Sequence, residues 1–144
     1  MLLEQARYSV TKVVDLQTPM HPVSFITTED DRTGLVVSFA IQQPLDPEEV
    51  ESLTLQRAPK FEALKDEEER GVTVSFVQRF PEDDDMGDRL QEVRYSASEE
   101  IVEIATARRR YRLDVRRVDP EEIAEMRKVF RKMNFDGRFR AVGI

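Results

Sequence analysis

The stretch from Ile101 to Met133 restricts the possible folds more than any other part of the chain. It reads IVEIATARRRYRLDVRRV and continues DPEEIAEMRKVFRKM. From Arg110 onward the side chains alternate. Tyr111, Leu113 and Val115 fall on one face, and Arg110, Arg112, Asp114 and Arg116 on the other. A period of two with one apolar face marks a half-buried strand. Asp119-Pro120-Glu121-Glu122 follows, with Asp as N-cap, Pro at the first helical position and acids in the first turn. A helix is therefore predicted from Pro120 to about Met133, with Ile123, Met126, Phe130 and Met133 at helical spacing and Val129 widening the stripe. Lys128, Arg131 and Lys132 lie in its last turns, where cations complement the dipole. A strand that feeds such a helix calls for a sheet that the helix can cover.

The same alternation recurs upstream. Residues 6–16 (ARYSVTKVVDL), Val23 to Thr28 and Leu35 to Gln42 read as strands, the last with Leu35, Val37, Phe39 and Ile41 inward. Thr18-Pro19-Met20-His21-Pro22 reads as a turn, and Glu29 to Gly34 as the loop of a hairpin. Val72 to Phe80 is the strongest strand, with Val72, Val74, Phe76 and Phe80 on one face. Strands are also predicted over Arg89 to Ala97, Ile101 to Ala107 and Arg110 to Val118, and a short edge strand in the tail from Arg138. Asp46-Pro47-Glu48-Glu49 repeats the helix-start signal. It predicts a helix from Pro47 to Gln56, and a second from Lys60 to Arg70 that ends at Gly71 and docks through Phe61 and Leu64.

These elements predict an α+β fold in a single domain, residues 1–144. The expected architecture is a mainly antiparallel sheet or a small β-barrel of about seven strands. It carries one helical insertion between strands 3 and 4 and an amphipathic C-terminal helix. The pattern alone does not choose between open sheet and barrel. Hydrophobic residues at 40% and charged residues at 35% suit a globular chain with a charged surface. There is no cysteine, no apolar run long enough for a membrane span, and no apolar leader behind Met1-Leu2-Leu3-Glu4. A cytoplasmic location and no membrane partner are expected.

The charge is unevenly placed. Twelve Lys or Arg against six acids give residues 104–144 a charge of +6, so the net −7 leaves −13 for residues 1–103. Such asymmetry points to an anionic partner, or to neutralisation within the fold or across a dimer. The candidate anion or phosphate ligands are Arg108, Arg109, Arg110, Arg112, Arg116 and Arg117. Their structural alternative is pairing with acids on a neighbouring strand, such as Glu92, Glu100 and Glu103. Alternation assigns Tyr111 to the core rather than to base stacking.

Other chemistry leaves little trace. His21 is the only histidine and sits between two prolines, so neither a zinc set nor a nucleophilic triad is legible. Asp83-Asp84-Asp85 and Asp88 lack the spacing of a calcium loop. No glycine-rich phosphate loop or nucleophile elbow occurs. No catalytic residue, cofactor or metal is assigned. The leading expectation is a small cytoplasmic binding or interaction protein whose partner is another protein or a second copy in a homodimer. The alternatives are binding of nucleic acid or nucleotide phosphate through the Arg108–Arg117 strand, and a small enzyme with a carboxylate-based site in a barrel mouth.

Overall fold

The computed structural model describes residues 18–42, 50–78, 80, 82 and 84–144. The strand predicted over residues 6–16 lies outside them. Among the described residues, eight strands form one sheet. They are β1 (Met20–Asp30), β2 (Leu35–Gln42), β3 (Val50–Arg57), β4 (Thr73–Val77), β5 (Asp85–Ser96), β6 (Ile101–Thr106), β7 (Arg110–Asp114) and β8 (Arg140–Val142). The helices are α1 (Pro59–Glu62) and α2 (Pro120–Met133), with a 3-10 turn at Glu67–Glu69.

The strand order β4-β3-β2-β1-β7-β6-β5, with a further pairing of β4 to β5, closes seven strands into a barrel. Each strand from β1 to β7 pairs antiparallel with the next. An up-and-down ring with an odd number of strands must bring its first and last together pointing the same way. That is what closes the barrel: β1 runs parallel to β7 through Met20↔Arg112, His21↔Leu113 and Pro22↔Asp114. β8 adds to β5, also in parallel. The expected antiparallel sheet is thus a mixed one, and the barrel replaces the open-sheet alternative.

Three local expectations are corrected. Residues 50–56, expected to be helical, form β3, because Leu53 and Leu55 alternate with Ser52, Thr54 and Gln56 and fill the interior. The Asp-Pro-Glu-Glu signal is local, and the period of two downstream overrides it. Residues 60–70, expected as a longer helix, give only α1 and the 3-10 turn, with Pro59 starting the helix. Phe61 and Leu64 are exposed there, and the buried docking residue is Glu62. The turn expected at residues 18–22 is the start of β1, where His21 and Pro22 pair with β7. Pro22 stands at the strand's beginning, a position that tolerates a missing N–H.

The interior is filled by Val37, Phe39, Leu53, Leu55, Val93, Val102, Ile104 and Leu113, all fully buried. Helix α2 starts at the N-cap Asp119, whose carboxylate accepts from the Glu121 N–H at 2.9 Å. It runs beside the second half of β1, with Glu122 at Ile26 and Lys132 at Asp30. Its fully buried Met126, Val129, Phe130 and Met133 join the barrel core. Beyond Pro22, β1 leaves β7, and the Ile26 N–H on that edge donates to Glu122 Oε1 of α2 at 2.7 Å. A further tie is the ion pair between Lys132 and Asp30. No helix among the described residues is long and apolar enough to cross a membrane.

Candidate functional site

The six sequence-selected arginines do not form one cluster. Arg108 and Arg109 stand in the β6–β7 turn. That turn is fixed by Thr106, whose hydroxyl accepts from the backbone N–H of both. Arg110 and Arg112 lie on the outer face of β7, opposite Glu103 of β6 at 3.7 and 4.0 Å. Arg116 and Arg117 follow the far end of β7, where Arg116 pairs with Asp114 at 3.0 Å. Of the three acids expected as partners, Glu103 takes two arginines, and Glu92 pairs instead with Arg94 and Arg140. Arg94, Glu103 and Arg112 are register partners across β5, β6 and β7, so the outside of this half of the barrel carries charges of alternating sign.

The end of the barrel away from α2 gathers a second set of polar groups. β4 and β5 register Phe76 against Asp85, and β7 brings Tyr111 beside them. The Tyr111 hydroxyl donates to Asp85 Oδ2 at 3.1 Å, and Arg109 Nε lies 3.4 Å from Asp85 Oδ1. Arg108 Nε lies 3.6 Å from Asp88 Oδ2. The Phe76 ring lies between those of His21 and Tyr111, tilted against each with centroids 5.5 Å apart. Burial, together with the Asp85 carboxylate, pushes the Tyr111 phenol well above its ordinary value, so it stays protonated. Asp88 is held below its ordinary value although its burial acts the other way, because Thr106, the Arg89 N–H and Arg108 favour the ionised form. Burial lowers His21 and Glu51 opposes that shift. The mouth thus collects a neutral imidazole, a neutral phenol and an ionised carboxylate.

Sequence reading missed Arg57. Its side chain is fully buried, and all five of its N–H groups are used. Nε and Nη2 donate to Glu62 at 2.7 and 2.8 Å, and Nη1 and Nη2 donate to Asp136 at 2.8 and 2.7 Å. The fifth bond, 2.7 Å to the Met133 carbonyl, caps the end of α2. Phe135 lies over the guanidinium at 4.2 Å. The Arg57 hydrogen bonds hold Glu62 and Asp136 below the usual carboxylate range. The signal available was weak: an inward-facing Arg in β3 and a lone acid in the turn after α2. Beside this lock lies a cleft of about 360 Å³ lined by Glu29, Leu35, Gln56, Lys65, Glu69 and Thr73 among others. Among the described residues, no group of three or more His, Asp or Glu is placed to hold a metal ion.

No protein-family model, curated protein or solved structure matches this chain. The site is therefore read from its own chemistry.

Proposed function

We propose that this is a cytoplasmic binding protein that performs no chemistry of its own and acts by contact with a protein partner or with a second copy. One observation carries the reading: the barrel interior is packed with buried aliphatic and aromatic side chains, and the apolar face of α2 is buried in the same core. Among the described residues, the titratable groups at the mouth other than His21 pair with one another, Tyr111 and Arg109 with Asp85 and Arg108 with Asp88. General acid or base work needs a group poised near the working pH beside a reactive position. Tyr111 and Asp88 are driven away from that range. Only His21 has a usable form, and Phe76 lies against its ring. The test is a panel of chromogenic ester, phosphoester and glycoside substrates. No turnover above buffer is expected. Turnover that disappears in His21→Gln or Asp85→Asn would replace this reading with the carboxylate-based enzyme.

A second reading rests on a separate observation. Arg108, Arg109 and Arg110 have side chains 69%, 61% and 58% exposed, and their ion pairs at 3.4–3.7 Å are longer than good hydrogen bonds. A phosphate group could exchange into such contacts. Single-stranded oligonucleotide probes at low salt should then bind, and Arg108→Glu with Arg109→Glu should weaken binding and flatten its salt dependence. No binding at low salt disposes of it.

A further inference from the structure

Asp136-Gly137 is the one Asp-Gly pair in the sequence. A glycine after aspartate leaves the next amide nitrogen unshielded by a side chain, so in an open chain that nitrogen reaches the aspartyl Cγ. The reaction that follows needs no co-reactant but water. The Gly137 nitrogen bonds to Asp136 Cγ. Its proton and the carboxyl hydroxyl leave together as one water, and a five-membered imide forms. Water then adds back. Opening at Cγ restores aspartate. Opening at the α-carbonyl leaves the main chain running through Cβ and Cγ, which is isoaspartate.

In the folded protein both requirements of the first step are blocked. The leaving oxygen has to be protonated. Yet Asp136 Oδ1 and Oδ2 accept from Arg57 Nη1 and Nη2 at 2.8 and 2.7 Å, and Oδ2 accepts again from Arg138 Nε at 2.8 Å. These charge-assisted bonds, those of Arg57 above all, hold the carboxyl well below its ordinary value. They thin out the reactive acid form by about tenfold for each unit. The attacking nitrogen has to turn towards Cγ. Yet the Gly137 N–H donates to the Asn134 carbonyl at 3.1 Å, in a turn that holds Gly137 at a φ of +69°. Burial does not keep water away, since the Asp136 side chain is 30% exposed. The two guanidinium groups and the turn hold the reaction off.

We propose that Asp136 is a site of spontaneous conversion to isoaspartate, gated by the clamp of Arg57 and Arg138, so that each lasting opening of the clamp is recorded as a covalent change. The change runs one way. Isoaspartate carries its carboxylate directly on Cα and adds one carbon to the main chain, so the fork to Arg57 cannot form again in the same place. The turn is also closed by the Phe139 N–H on Asn134 Oδ1 at 3.2 Å, a contact that the longer main chain breaks. β8 follows at once and loses its register with β5. The rate of conversion therefore reports how often the end of α2 and the turn after it open locally, an equilibrium distinct from unfolding of the whole barrel.

The full chain, its Arg138→Gln and Arg57→Lys variants, and the native sequence held unfolded in urea are incubated side by side at neutral pH and body temperature. Circular dichroism checks the fold of each. Tryptic digests release residues 133–138 as one peptide, and chromatography separates it from its isobaric isomer. A protease that cuts only before ordinary aspartate identifies the isomer. The native chain should convert slowest and the urea-held chain fastest. Folded Arg138→Gln, which loses only a partly exposed group, should convert about tenfold faster than native, the change that one unit in the carboxyl would give. Arg57→Lys should exceed it, and an Arg57→Lys chain that does not fold should match the urea-held rate, leaving Arg138→Gln to decide. A native chain that converts as fast as the urea-held one overturns the proposal. So does a folded Arg138→Gln that converts at the native rate. Isolated isoaspartyl chains should refold with a lower urea midpoint and faster hydrogen exchange in β8. Recovery of the native midpoint overturns the one-way record.

Discussion

Arg57 has no second arrangement open to it. Its five donors meet two carboxylates and a helix-terminal carbonyl, so removing the guanidinium leaves the buried Glu62 carboxylate without its counter-charge. Arg57→Met should destabilise the protein by about 3–5 kcal/mol in urea denaturation, and Arg57→Lys should recover little, because an ammonium cannot form two forks. The lock also sets the acid response. Glu62 and Asp136 have folded pKa values depressed below their ordinary 4.5 and 3.8, so their contribution is complete above that range and lost as the pH falls through and below it. Arg57→Met should lose less further stability between pH 5 and pH 3 than the native chain does, with each titration followed by denaturant midpoint. His21 follows the same sign: its folded pKa is lowered from 6.5, so its contribution is present above that value and declines below it, and His21→Gln should flatten that part of the profile. Gly143 is irreplaceable for a plainer reason. A Cβ there would lie 2.1 Å from the Tyr95 carbonyl oxygen, at a φ of +75°. Gly143→Ala should displace the tail and expose β8 amides to hydrogen exchange.

At the level of elements, α2 was readable in the sequence because its signals are local. Asp119, Pro120 and the Met126–Phe130–Met133 stripe stand where a chain of helical period needs them. Asp119→Ala should cost about 1 kcal/mol. What α2 does was not readable. It seals the gap left where β1 parts from β7, and Glu122 serves β1 rather than its own helix. Glu122→Ala leaves the Ile26 N–H without its acceptor and should cost about 1–3 kcal/mol, measured by thermal or urea unfolding. β3 shows the opposite case. The helix-start motif before it is a good local signal, yet Leu53 and Leu55 are worth more inside the barrel than any cap is worth to a short helix.

For the molecule as a whole, closure depends on pairing Met20 with Arg112, residues far apart in sequence. Such contacts carry a large loop-closure entropy before they contribute, so folding should fall in the millisecond-to-second range of β-rich barrels, observable by stopped-flow refolding. The charge asymmetry of the sequence is real but is answered mainly at home. Arg108, Arg109, Arg110 and Arg112 each face an acid of β5 or β6. The candidate site was legible as a list of arginines, and its division into a turn, a strand face and a helix approach was not. Residues 108 to 117 span the full length of β7, and side chains at its two ends cannot meet.

Periodicity, capping and charge by themselves determined that this chain is strand-rich, that Tyr111, Leu113 and Met126 face inward, and that a terminal helix covers the sheet. Those properties are set within a few residues by backbone geometry and by the exclusion of apolar groups from water. Tertiary structure alone decided that the sheet closes, that its closing seam is parallel, and that Arg57 is buried. Each of these depends on which strands become neighbours, a long-range choice that no local window of sequence contains.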